Sequence, residues 1–260
     1  MLFGDALSLL YHSTVVRTEN NAEAKKLRDD FIEIAKPLVL AGNRSAIIKL
    51  LEEAVDKFGK LLPHKEVKCK KVGIVGEIFL KFNGFANKNL IRWLIDQGIE
   101  VIPPMLTPFF TQSFVNREIN VKNKLDKSLM PKFVYDFLYQ LVNKEISKFN
   151  KILSRFRYPV KLEDIYELAK GVKEVLPLYT QFGEGWLLPA EIVSYAKSGA
   201  DAVISLQPFG CIANHIISRG VENRIQQLYP QLNLLSLDFD GSVSDVNITN
   251  RLLMLKDSLR

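Results

Sequence analysis

The chain has 260 residues, of which 47% are hydrophobic and 25% are charged. This composition is typical of a globular protein and excludes a disordered tail, a collagen-like rod and a mucin-like stalk. No apolar run reaches the roughly 18 residues that a membrane-spanning helix needs. The chain has two cysteines, Cys69 and Cys211, far apart and without CxxC spacing. They predict neither a disulfide framework nor a complete four-ligand metal site.

The first residues do not look like an export signal. Met1–Tyr11 is short and apolar, but Asp5 interrupts it and no basic region precedes it. A secretory signal peptide has a basic start followed by a longer apolar stretch. We therefore expect a cytoplasmic protein.

The net charge of +6 is concentrated in one segment. Residues 121–157 carry nine Lys or Arg against three acidic residues, a difference of +6. Such a segment can bind phosphates, but it is more often the solvated face of an amphipathic helix. We predict a helix over 130–157 with Phe133, Phe137 and Leu141 packed inward and the basic residues in solvent. We expect no nucleic-acid partner.

The N-terminal quarter of the chain has helical periodicity. Apolar residues recur at helical spacing through residues 22–62, and Gly42-Asn43 is a plausible break between two helices. A basic linker follows. We predict an N-terminal helical segment over 1–66 and an α/β domain over 67–260. A helical insertion occupies about 105–180 of that domain, with one helix at 162–176.

The rest of the chain alternates between short β-branched runs and helical patterns. The predicted strands are Val72–Phe79, Ile99–Ile102, Ala202–Leu206 and Leu232–Leu237. Helices are predicted at about 87–97, 187–197, 211–228 and 245–259. This alternation predicts an α/β fold with a doubly wound, mostly parallel sheet and helices on both faces.

Ligands of open parallel sheets bind beyond the carboxyl ends of the strands. Three loops lie at such positions, at 77–87, 207–211 and 238–242. From the first loop we take Glu77, Asn83 and Asn87 as candidate ligand-binding residues.

Cys211 is the most informative residue of the second loop. Gln207 and Gly210 flank a tight strand-to-helix turn that places Cys211 near a helix N-terminus, where a thiolate is favoured. The thiolate is the form that binds iron or attacks an electrophile. A buried structural thiol is the alternative. His215, one helical turn on, could complete a Cys–His dyad, but an ordinary helix histidine is the more frequent case.

The third loop is acidic and rich in hydroxyl groups. Asp238, Asp240 and Ser242 could bind a divalent ion or a phosphate group, and they could equally cap the last helix. The chain has no GxGxxG, P-loop, GxSxG, HExxH or protein-kinase motif.

Three sequence blocks, in order, resemble a known family. They are residues 71–87 (KVGIVGEIFLKFNGFAN), 207–220 (QPFGCIANHIISRG) and 237–251 (LDFDGSVSDVNITNR). Together they resemble the 2-hydroxyacyl-CoA (2-hydroxyglutaryl-CoA) dehydratase D-component family. The similarity is greatest to the C-terminal part of the branch found in large CoA-substrate-specific enzyme activases.

The resemblance implies an iron–sulfur function in anaerobic metabolism. In this family an ATPase activator drives one-electron transfer through a [4Fe-4S] cluster to an acyl-CoA, and the dehydratase is a lyase. By this resemblance Cys211 is a cluster ligand. The other ligand cysteines lie upstream in the family, and this sequence has none at matching positions. The implied partners are the ATPase activator, acyl-CoA, and an upstream region or homologous subunit.

Two hypotheses from different classes follow. In the first, the chain contributes Cys211 to a [4Fe-4S] site for ATP-driven electron transfer. In the second, it is a non-catalytic scaffold or docking module that binds a CoA-like phosphate ligand or a partner subunit. Neither hypothesis involves nucleic acid or a membrane.

Overall fold

The structure is a computed structural model that describes residues 1–125, 131–240 and 245–259. The chain forms two compact units that interleave along the sequence. The first unit comprises Met1–Cys69, Met105–Phe110 and Ser128–Asp164. The second comprises Lys70–Pro104, Thr111–Lys127 and Ile165–Arg260.

The described elements alternate between helices and strands after an all-helical start. In chain order they are α1 (Leu2–Val15), α2 (Asn21–Leu40), α3 (Arg44–Lys60), β1 (Lys71–Gly76), α4 (Ile78–Phe82), α5 (Leu90–Asp96), β2 (Glu100–Ile102), α6 (Thr107–Lys122), α7 (Lys132–Leu153), α8 (Ile165–Val172), α9 (Leu187–Lys197), β3 (Ala202–Pro208), the π-helix π1 (Ala213–Ser218), α10 (Glu222–Leu228), β4 (Asn233–Phe239) and α11 (Asp245–Ser258). Within the described ranges, no helix is long and apolar enough to cross a membrane.

The first unit is built from α1, α2, α3 and α7, which pack against one another. Asparagine side chains begin two of these helices: Asn20 Oδ1 accepts from Glu23 N, and Asn43 Oδ1 accepts from Ala46 N. Such caps satisfy backbone donors that have no partner inside the helix. The helices predicted at 22–62 are confirmed, and Gly42-Asn43 separates α2 from α3.

The predicted orientation of the basic helix is wrong. In α7 the side chains of Phe133, Phe137 and Leu141 are exposed, whereas the buried side chains come from its C-terminal half. The buried residues are Ile146, Phe149, Ile152 and Leu153. At about 100° per residue, the mean directions of these two groups differ by roughly 130° around the helix. The apolar stripe is therefore not continuous, and only the half that meets other helices is buried.

The second unit contains a four-stranded parallel sheet with the order β2-β1-β3-β4. Val72 pairs with Val101 on one side and with Ala202 on the other, and Ala202 also pairs with Asn233. The four predicted strands are thus confirmed as parallel neighbours. Burial of the two central strands, β1 and β3, on both faces explains why their sequences are mostly apolar.

Helices cover both faces of this sheet, as predicted for a doubly wound α/β fold. On one face Ile74, Ile204 and Leu206 belong to a buried cluster with side chains of α4, α5 and α11. On the other, Val75 and Val203 belong to a cluster with α9 and α10. Because side chains alternate along a strand, each strand contributes to both clusters.

Several predicted elements have different bounds in the structure. The first strand ends at Gly76 and not at Phe79, because Gly76 has a φ of +136° and Glu77 then caps α4. The helix predicted over 211–228 is divided into π1 and α10. The helix predicted over 162–176 is the shorter α8.

Candidate functional site

The sheet has a topological switch point between β1 and β3. The chain leaves β1 toward β2 on one side, and β3 lies on the other side of β1. Connections that diverge in this way leave a crevice at the carboxyl ends of the two strands, where ligands of doubly wound folds bind.

A cleft of about 810 Å³ lies at this point of the second unit. It is lined by the loop after β1, by the end of β3 and by the beginning of α11. The lining residues are Glu77, Phe79, Leu80, Phe85, Ala86, Asn87, Lys88, Asn89, Leu90, Trp93, Pro208, Phe239, Asp240, Ile248, Thr249 and Leu252. Its volume is in the range of small-molecule sites, about 300–1,000 Å³.

The cleft has an apolar floor and a mouth where polar side chains lie with the exposed Phe79 and Phe85. Leu80, Leu90, Phe239 and Leu252 are buried and belong to the core cluster on that face of the sheet. The exposed polar lining includes Lys88, Asn89, Asp240 and Thr249. A ligand with an apolar segment and a polar end suits this arrangement.

The three candidate residues of the first loop hold the loop in shape. Glu77 Oε2 accepts from Leu80 N at 2.9 Å. Asn83 Oδ1 accepts from two backbone amides of the loop, and the buried Asn87 donates from Nδ2 to Leu80 O at 2.9 Å. Glu77 and Asn87 also line the cleft, whereas Asn83 does not.

A buried ion pair anchors the start of this loop. Lys81 Nζ lies 3.4 Å from Glu191 Oε2 of α9, and both side chains are buried. Glu184 Oε1 accepts from Ile78 N at 2.9 Å. These contacts attach α4, which forms part of the cleft wall, to α9 and the residues just before it. Both α4 and α9 pack against β1.

Sequence analysis missed Lys88 and Asn89, which line the cleft. Both have left-handed backbones, with φ of 56° and 55°. Two consecutive non-glycine residues in this region are uncommon, although Asn tolerates it better than most residues. The run Asn87-Lys88-Asn89 read as the start of a helix, but the loop continues to Asn89 and α5 begins at Leu90. Its asparagines were the available signal for a turn.

Cys211 lies directly before the helical segment that contains π1 and is partly exposed. Its Sγ accepts a hydrogen bond from Asn214 Nδ2 at 3.2 Å. Its backbone N donates to Pro208 O, and Gly210 has the left-handed φ of 81° that this tight turn needs. The thiol is a free cysteine and not part of a sealed apolar core.

A second polar group lies beside Cys211 and includes His215. Its Nε2 is 3.2 Å from Pro208 O and its Nδ1 is 3.8 Å from Asp238 Oδ1. Arg219 Nη1 donates to both oxygens of Asp238, at 3.3 and 3.4 Å. Asp238 is therefore bound by an arginine. Pro208 belongs both to this polar group and to the cleft, because its carbonyl oxygen lies next to His215 and the residue also lines the cleft.

The remaining candidates are in different environments. Gln207 is fully buried and points into the protein, with Nε2 donating to Ser236 Oγ at 3.3 Å. Asp240 is exposed at the cleft. Ser242 lies outside the described residues.

The donor set of this chain does not fit a complete [4Fe-4S] cluster. Such a cluster takes four ligands, usually cysteines, and the sequence has two. The described residues contain no group of three or more His, Cys, Asp or Glu side chains that could hold a metal ion. Cys211 could be at most one ligand of a cluster shared with another polypeptide.

Comparisons with protein-family models, with curated proteins and with solved structures found no match to this chain. The residues and geometry described above are therefore the basis of the functional argument.

Proposed function

We propose that the second unit is a binding module for an acyl-CoA-type thioester, with the acyl-pantetheine part in the cleft between β1 and β3. The observation that supports this most directly is the cleft itself. It lies at the switch point, has a volume of about 810 Å³ and combines a buried apolar floor with a mouth that carries polar side chains.

The shape and chemistry of this ligand class match the lining. An acyl chain would contact Leu80, Leu90 and Leu252, where burial of apolar surface contributes roughly 25 cal/mol per Å². The amides of the pantetheine arm would meet the polar side chains of the mouth, and the Lys88 ammonium is placed to attract the phosphates. Glu77 and Asp240 also line the cleft, and their carboxylates disfavour phosphates beside them. We expect the nucleotide end to remain outside.

Calorimetric titration with butyryl-CoA tests this proposal. Thr249 is exposed and lines the cleft, whereas the neighbouring Asn250 is exposed and does not. Thr249→Trp should weaken binding at least tenfold by filling the mouth, and Asn250→Trp should bind like the wild type. Adenosine 3′,5′-bisphosphate, which lacks the pantetheine arm, should bind much more weakly. Equal affinity of both variants would contradict the assignment of the cleft.

A second candidate function is the iron–sulfur role that the resemblance implies. Cys211 supports it, because its thiol is partly exposed at the carboxyl end of the sheet and accepts a hydrogen bond from Asn214. The remaining ligands would come from another polypeptide, such as an upstream region, a homologous subunit or the ATPase activator. Two cysteines that form no disulfide also fit a reducing cytoplasm, the location that we propose.

Anaerobic reconstitution with iron and sulfide distinguishes the two functions. The chain alone should remain colourless or hold a labile, partial cluster. Combined with the missing partner, it should gain iron and a visible absorption band, and Cys211→Ala should abolish both. Retention of the full iron content by Cys211→Ala would eliminate this candidate without affecting the binding proposal.

A further inference from the structure

Four buried side-chain oxygens of β3 and π1, both in the second unit, have no hydrogen-bond partner among the described residues. They are Ser205 Oγ, Gln207 Oε1, Asn214 Oδ1 and Ser218 Oγ, and all four residues are 0% exposed. Buried polar atoms in folded proteins are almost always paired with protein groups, ordered water or ions. An accumulation of such oxygens in one part of a fold therefore indicates a bound species.

Topology brings the four residues to one layer. Ser205 and Gln207 alternate along β3 with Ile204 and Leu206, which face the α11 side, so they share the face of Val203. The helix α9 covers that face, and π1 contacts both β3 and α9. Asn214 and Ser218 are the fully buried polar residues of π1, so they belong to the side of π1 that packs against β3 and α9.

The hydrogen bonds of the two amides fix which atoms remain unpaired. Gln207 donates through Nε2 to Ser236 Oγ at 3.3 Å, and Asn214 donates through Nδ2 to Cys211 Sγ at 3.2 Å. Each amide nitrogen thus has an acceptor, whereas each amide carbonyl oxygen is without a hydrogen-bond partner among the described residues. The unpaired atoms are two amide carbonyls and two hydroxyls, all neutral oxygen ligands.

A hydrogen-bond chain polarises one of these carbonyls. Ser236 Oγ donates to Glu222 Oε1 and accepts from Gln207 Nε2, so the chain runs from a carboxylate to the amide. Bonds in series strengthen one another, and donation toward an anion increases the negative charge on the amide oxygen. Asn214 donates to the Cys211 sulfur, a weaker acceptor, so its oxygen is polarised less. The Gln207 oxygen is thereby the better ligand for a cation.

We propose that a monovalent cation, potassium, sodium or ammonium, binds between β3 and π1 through Ser205, Gln207, Asn214 and Ser218. Neutral carbonyl and hydroxyl oxygens suit a single positive charge, whereas calcium and magnesium usually require carboxylates. The unpaired oxygens of π1 would gain a partner, and π-helical turns frequently occur at functional sites. The cation would thus hold π1, which carries His215, in place next to Cys211. This site is separate from the cleft.

Thermal unfolding of the wild-type chain in different chloride salts tests the proposal at constant ionic strength. N-methylglucamine chloride, whose cation is too large to bind, keeps the ionic strength constant. A cation with a dissociation constant of about 10 mM should raise the unfolding midpoint by about 2 °C between roughly 10 and 100 mM, and the rise should saturate. The effect should differ among lithium, sodium, potassium and ammonium, because the site has a defined size.

A pair of variants shows where the cation acts. Ser218→Ala removes one ligand and should abolish most of the cation-dependent rise. Thr14→Val removes another buried, unpaired hydroxyl, in the first unit, and should retain the full rise. Equal midpoints of the wild type in all salts would mean that water fills the site and would overturn the proposal. That measurement decides the question even if Ser218→Ala fails to fold.

Discussion

Burial of His12 should make the stability of this protein depend on pH. The side chain lies on α1 within the first unit, and its Nδ1 is 2.7 Å from Ser8 O. Burial lowers the pKa of His12 from 6.5 to about 4, which the Ser8 carbonyl opposes and the positive charge of Arg28 reinforces. The folded protein therefore binds this proton more weakly than the unfolded chain.

The sign and size of the effect follow from linkage. Because the pKa is lowered on folding, the stabilising effect is complete above pH 6.5 and is lost as the pH falls toward 4. With pKa values of 6.5 unfolded and about 4 folded, the loss between pH 7.5 and 5.5 is roughly 1 kcal/mol. Below pH 4 it approaches its limit of roughly 3 kcal/mol.

Urea denaturation at pH 7.5, 6.5 and 5.5 measures this loss directly. In His12→Asn, which cannot be protonated, the free energy of unfolding should change between pH 7.5 and 5.5 by roughly 1 kcal/mol less than in the wild type. His64 is exposed and provides the matched control, so His64→Asn should keep the wild-type pH dependence. If His12→Asn and the wild type show the same pH dependence, the reasoning from burial is refuted.

Four further predictions concern the second unit and the charge of the whole chain. Lys81→Met breaks the buried pair with Glu191 and should destabilise the protein by roughly 3 kcal/mol in urea, and Lys81→Met with Glu191→Met should recover part of that loss. Gly76→Ala should prevent folding, assayed by circular dichroism, because its Cβ would lie 2.2 Å from Leu206 O at a φ of +136°. Cys211→Ala should cost less than about 1 kcal/mol in urea, because a partly exposed thiol buries little apolar area. Filter binding should show no steep salt-dependent affinity for duplex DNA.

Each of these has an informative contrary outcome. Gly59 lies within α3 with open space around its Cα, so Gly59→Ala should stabilise the helix by about 0.5–1 kcal/mol and serves as the control for Gly76→Ala. A folded Gly76→Ala would show that β1 and β3 can separate at that point. Loss of several kcal/mol in Cys211→Ala would show a structural role for the thiol. A steep salt slope with DNA would show that the basic segment binds phosphates.

The parallel strands and most of the helices could be predicted from local sequence. Runs such as Val72–Val75 are β-branched and bounded by glycine, and a fully buried strand needs only that pattern. Asn43 marks a helix start because its short side chain reaches the free backbone amides of the first turn. The rule that ligands bind at the carboxyl ends of strands then selected the loops around Glu77 and Asp240, which do line one cleft.

Tertiary packing decided the features that sequence analysis missed or placed wrongly. Phe133 is apolar and regularly spaced, but whether it is buried depends on which half of α7 meets another helix. Gln207 directly follows the predicted strand, which suggested a place at the rim of the sheet. In the structure it is part of β3, and the alternation of side chains along this strand places it in the interior. The left-handed backbone at Lys88 depends on how the chain closes the loop before α5. Local sequence determines the preference of each segment, but contacts between distant segments determine which side chains are buried and which reach the site.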